Sequence, residues 1–160
     1  GVNTGTPAVS AVTWSSDGRY LIVAGSRGIG IWDSQTKKVV RRIPIDRTKR
    51  ISRLAVSGSG QLAALVGKSV YLYDDLLKSK ASQINLAYRG VSMVSIGKNQ
   101  VAIGCTDGNI RIVDFGFDWV IKRISAFVTS VESVDFFEDQ GKLVAAGYDS
   151  HFKVWSLESK

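Results

Sequence analysis

The stretch VAIGCTDGNIRIVD, Val101 to Asp114, decides how the rest of the chain is read. An alternating strand runs into Thr106-Asp107-Gly108-Asn109, and a second alternating strand ends on an aspartate. Two such runs joined by a tight Asp-Gly turn predict a β-hairpin. Gly108 supplies the backbone freedom that the turn requires. No catalytic pattern lies within the stretch, so its meaning depends on whether it recurs.

It is one of four such units. The segments begin at VSAVTWSSDGRYLIVAGSRGIGIWD, ISRLAVSGSGQLAALVGKSVYLYDD, VSMVSIGKNQVAIGCTDGNIRIVD and VESVDFFEDQGKLVAAGYDSHFKVWS. Each holds an apolar strand, a polar turn, a strand of small apolar residues, a short turn and a third strand. A fourth strand follows in all but the last. The third strands end at Asp33, Asp74, Asp114 and Ser156, a period of about 40 residues, as four-stranded propeller blades have. Runs such as LIVAG, LAALVG, VAIGC and LVAAG read as strands buried on both faces. Pro7 and Pro44 fall outside the predicted central strands. No stretch keeps a helical period over three turns.

The repeats resemble the WD40 family. Trp32-Asp33, Tyr73-Asp74, Val113-Asp114 and Trp155-Ser156 carry the resemblance, with the first-turn motifs SSDGRYL (Ser15 to Leu21) and GSGQL (Gly58 to Leu62). Asp107 and Asp149 stand where the family often keeps a structural turn aspartate. The resemblance implies an all-β fold: part of a WD40-type β-propeller with four antiparallel blades of four strands, the last lacking its outer strand. The repeats run over about 8–45, 49–86, 90–124 and 128–158, within a single unit of 1–160. The family's Gly-His pair is missing from every repeat, so its usual buried relay is incomplete and apolar packing is expected to hold the blades. A ring of this family usually has seven or so blades, so further sequence or another chain is expected to complete this one. The pair SGSGQLAALVGKSVYLYDD and VAIGCTDGNIRIVD is also similar to the second propeller of the actin-interacting WD-repeat proteins that assist cofilin.

Composition fits this reading. The chain has 160 residues, 44% hydrophobic and 22% charged, with a formal net charge of +7. That is a globular composition with an electrostatic bias toward acidic partners. No apolar run approaches the roughly 18 residues of a membrane-spanning helix, and the first residues show no signal-peptide pattern. A lone cysteine, Cys105, cannot form an internal disulfide and fits a reducing compartment, hence an intracellular protein, cytoplasmic or nuclear.

No catalytic, metal or cofactor site is expected. Cys105 sits in an apolar strand, and the single histidine, His151, lies about a repeat away; a buried inert thiol is the simpler reading. Glu132, Asp135, Glu138 and Asp139 read as solvated charges about a hairpin turn. Asp114-Phe115-Gly116 imitates a kinase motif without its companions. Trp14, Trp32 and Trp155 read as core; Trp119, at the start of an outer strand, is the candidate exposed aromatic.

The densest charge lies in KKVVRRIPIDRTKRISR, Lys37 to Arg53, with eight basic residues and one acidic. On the family layout, Arg47, Lys49 and Arg50 fall in a loop on the same face as Arg27, Lys68 and Arg89. These six are the candidate partner-binding residues, and they point to acidic protein surfaces. The competing reading is an edge strand shielded by its charges. Nucleic acid remains an alternative partner, but no aromatics are interleaved for base stacking. The expected function is a non-enzymatic platform for protein–protein interaction. The alternatives are a cofactor of cofilin-driven actin disassembly and a basic propeller in a ribonucleoprotein.

Overall fold

The hairpin at Val101–Asp114 forms with Gln100 opposite Asp114 and Gly104 opposite Ile110. The computed structural model describes residues 6–46, 48–78 and 80–157. They form fifteen strands in four antiparallel sheets, each built from strands consecutive in sequence.

The first sheet holds β1 (Ala11–Trp14), β2 (Tyr20–Gly25), β3 (Gly28–Asp33) and β4 (Lys38–Ile43). The second holds β5 (Arg53–Val56), β6 (Leu62–Val66), β7 (Ser69–Tyr73) and β8 (Ser82–Asn85). The third holds β9 (Gly90–Ile96), β10 (Gln100–Cys105), β11 (Asn109–Asp114) and β12 (Val120–Ser125). The fourth has three strands, β13 (Val131–Phe137), β14 (Lys142–Gly147) and β15 (Phe152–Ser156). Glu138–Gln140 makes one 3-10 turn between β13 and β14.

The blades stack in chain order. Strand β1 lies beside β5, β5 beside β9, and β9 beside β13; no comparable contact returns from β13 to β1 among the described residues. Three apolar cores fill the three junctions. The first joins Ile22 and Ile31 to Leu62 and Ala64. The second joins Leu65 and Leu72 to Ile103 and Val113. The third joins Ala102 and Ile112 to Leu143 and Ala145. The arrangement is that of a WD40-type propeller arc, with strands β6 and β10 packed between blades on both faces, as their continuous apolar runs require, and β2 packed against a neighbouring blade on one face.

Trp14 departs from the core role that its strand position implies. It is 52% exposed, on the face of the first blade that turns away from the second. The register carries that row through Leu21, Trp32 and Val39. The pattern identifies the strand correctly, but a strand has two faces, and among the described residues no blade packs on this outer face. Trp155, in contrast, packs into the third junction.

Apolar packing is supplemented by two ion pairs that the strand pattern does not reveal. Arg19 meets Asp33 at 3.0 Å at the lower end of the first blade. Arg111 meets Asp107 at 2.8 Å within the third. Gly108, at φ +79°, is needed where it stands: a side chain there would strike the carbonyl of Phe127. The Gly108 carbonyl accepts hydrogen bonds from the Ala126 and Phe127 amides, tying the connection between third and fourth blades to the hairpin turn.

Candidate functional site: a basic cleft above the second blade

The connections between blades are fastened to the turns between second and third strands, and this brings distant bases together. The Leu86 amide donates to the Lys68 carbonyl at 2.8 Å, and the Gly90 amide to Gly67 at 3.0 Å. Arg89 is thereby held beside Lys68. On the other side the Ser52 amide donates to the Leu65 carbonyl at 2.9 Å, and the Ser10 hydroxyl donates to the Ile51 carbonyl at 2.6 Å. The segment carrying Lys49 and Arg50 is thereby pinned to the first and second blades.

These segments enclose a cleft of about 570 Å³. Lys49, Arg50, Arg53, Lys68 and Arg89 line it, with no carboxylate among the lining residues. All five side chains are exposed. Lys49, Arg50, Lys68 and Arg89 form no salt bridge among the described residues. The neighbouring carboxylate, Asp46, is occupied locally. Its carboxyl is held below its usual range by the Thr48 amide and hydroxyl, with Lys49 adding a smaller attraction. Tyr71, half-buried on β7, is the lining aromatic.

Four of the six bases named from the sequence meet in this cleft. Arg27 is exposed but lines a separate hollow with Thr6, Gly30 and Arg42. Arg47 lies outside the described residues. Arg53 is the cleft residue that sequence reasoning missed: as the first residue of β5 it reads as a strand position. Its guanidinium donates to the Ser52 carbonyl at 2.7 Å, which holds its stem along the wall.

The remaining candidates stay apart. Trp119 is 59% exposed just before β12 and stacks at a tilt on Phe117, with centroids 5.1 Å apart. His151 is exposed beside Asp149, in the turn between β14 and β15. Cys105 is fully buried, and burial pushes its thiol up from the usual range, away from the reactive thiolate. Among the described residues no cluster of three or more histidine, cysteine or acidic side chains could hold a metal ion. No helix among the described residues is long and apolar enough to cross a membrane.

The WD40 family model, described as WD domain, G-beta repeat, matches residues 2–33, which reach the end of β3, and 120–156, which run from β12 of the third blade through β15 of the fourth. These two regions match WD40 repeats. The 26S proteasome regulatory subunit RPN14 of Saccharomyces cerevisiae is 22% identical over 117 residues, covering 67% of this chain and 28% of its own length. The WD repeat-containing protein 91 homolog of Dictyostelium discoideum is 25% identical over 164 residues, 94% of this chain and 21% of its own length. The chain thus spans less than a third of the length of either relative.

Solved structures agree on the fold. The computationally designed Ika4 protein superposes with a TM-score of 0.77 at 18% identity, over 94% of this chain and 92% of its own. Kuenenia stuttgartiensis hydrazine synthase superposes with a TM-score of 0.76 at 20% identity, over 88% of this chain and 42% of its own. At these identities the likeness concerns the WD40-type arc alone.

Proposed function

We propose that the chain is a non-enzymatic WD40 platform inside the cell that binds acidic surfaces of other proteins through its basic cleft. The observation that carries this reading is the convergence of five cations on one concave site with no carboxylate in its lining. The stacked blades act as a frame, and loop side chains act as the contact. Cation-rich hollows raise the encounter rate with acidic partners and fix their orientation. In this reading the propeller is completed by further sequence or by another chain.

The test uses polyglutamate as the acidic probe, with binding measured at low and high salt. Changing Lys49, Arg50 and Arg89 together to Ser is expected to weaken low-salt binding about tenfold, from about 0.5 kcal/mol for each lost exposed pair. The salt dependence should flatten while the melting temperature stays put. A triple variant with unchanged affinity and salt slope, or one that unfolds, would overturn the reading.

A further inference from the structure

We infer that the basic cleft recognises a phosphorylated side chain within an acidic, extended segment of the partner. This rests on the platform reading above and specifies its ligand. The chemistry of the lining separates a phosphate from other occupants. Three of the lining hydroxyls already donate within the protein, Ser10 to Ile51, Thr48 to Asp46 and Ser52 to Leu65, which leaves Ser69 and Tyr71 as the lining hydroxyl donors for a ligand. The Ser69 hydroxyl accepts from Gln83. A neutral polar ligand therefore finds few partners, and recognition falls to the cations.

Those cations are of two kinds suited to one dianion. Arg50 and Arg89 present planar forks that match phosphate oxygens two at a time, and Lys49 and Lys68 add compact charge. They come from three separate segments, the loop before β5, the turn between β6 and β7, and the loop before β9. Such an arrangement surrounds a compact group and does not track a long backbone. The lining aromatic, Tyr71, is half-buried, and the exposed Tyr88 ring beside Arg89 lies against the Arg111 guanidinium outside the lining, so the cleft itself offers a base no free ring to stack on. A hollow without a carboxylate also offers a divalent cation nothing to bind.

The shape indicates where the rest of the segment lies. Lys49 and Tyr71 also line a second hollow of about 340 Å³, where Ile43, Pro44, Ile45, Tyr73 and Ala81 stand among the charged Arg41, Asp46 and Lys80. An apolar side chain near the phosphorylated residue fits this hollow.

The test is fluorescence anisotropy with labelled peptides Asp-Glu-X-Asp-Glu-Leu, in which X is phosphoserine, serine or glutamate, and with oligouridylate. At pH 7.5 the phosphoserine peptide is expected to bind at least tenfold more tightly than the other two. The advantage should shrink at pH 5.5, where the phosphate loses its second charge. It should vanish in a Lys68→Gln, Arg89→Gln variant and persist in Arg123→Gln, on the exposed outer strand β12. If the double variant does not fold, inorganic phosphate titrated into the isotope-labelled chain decides. Amide shifts centred on Gly67, Lys68 and Arg89 support the site, and shifts confined elsewhere overturn it. Equal binding of phosphorylated and unphosphorylated peptides overturns the phosphate proposal but leaves the acidic-surface reading standing. Failure of every peptide overturns both. Tighter binding of the RNA than of the phosphopeptide overturns the proposal in favour of nucleic acid.

Discussion

Arg111 and Asp107 face each other across a two-point ion pair inside the third blade. The guanidinium Nη1 and Nη2 groups donate to the two carboxylate oxygens at 2.8 Å each. The Tyr88 ring covers the guanidinium, 5.4 Å from its centroid. Asn109 completes the arrangement, its side-chain amide donating to Asp107 at 2.6 Å. Both charged side chains are largely withdrawn from water, at 6% and 12% exposure.

Removing one partner should therefore cost more than removing both. Asp107→Ala leaves a buried guanidinium uncompensated and should destabilise the chain by about 3–5 kcal/mol. Adding Arg111→Leu should recover a large part of the loss, because the apolar side chain fits the covered strand. Urea unfolding of the two variants measures the difference. Equal losses in both would show that the pair is worth no more than its packing.

The same pair sets a pH response. Arg111 hydrogen bonds, opposed by burial and aided by Asn109, lower the Asp107 carboxyl from 3.8 to about 2. A depressed carboxyl stabilises the fold fully above its unfolded value, and that contribution is lost as pH falls through the folded one. The stake is about 2 kcal/mol, lost between roughly pH 4 and pH 2. Urea midpoints should fall over this window in the native sequence. In Asp107→Asn the fall should be smaller by that amount; an identical fall would detach the acid response from Asp107.

Cys105 should resist labelling until the chain unfolds. Its side chain is fully buried in the junction of the second and third blades. Burial also pushes its thiol up from the usual range, which disfavours the reactive thiolate. Reaction with a maleimide should follow the unfolding transition in urea. Rapid labelling under native conditions would mean that the second and third blades separate.

The two end faces of the arc should make the 160-residue chain associate. Val12, Trp14 and Val40 are exposed on the first blade, and Phe137, Phe152 and Val154 on the fourth. Strand β15 pairs only with β14 among the described residues, which leaves its other edge open. Exposed apolar patches beside an open strand edge favour assembly. Sedimentation should show concentration-dependent growth, reduced by Phe152→Ser with Val154→Thr. A monomer at all concentrations would contradict it.

The strands were legible because period-two alternation and Asp-Gly turns act locally. The meeting of Lys68 and Arg89 with Lys49 and Arg50 needed the repeat as a ruler, since about 40 residues separate Arg50 from Arg89. Arg53 escaped because alternation says which positions share a face and not what that face borders. Arg111 escaped because a basic residue within an apolar strand gives no signal alone; its spacing of four from Asp107 was the available clue. Trp14 was misread for a further reason: burial of a strand face depends on a neighbouring blade, which the strand's own residues do not encode.

Three cores in a row, joined only to their neighbours, make the fold a one-dimensional chain of cooperative units. In such a chain an end unit is braced once and an inner unit twice. The second and third blades are then the last to open, and the first and fourth fray ahead of them. The cleft rests on the turn of the second blade and the entry to the third, over the most firmly braced part of the arc. Loosening at either end can therefore proceed, or be arrested by a partner, without disturbing the geometry of the Lys68–Arg89 wall.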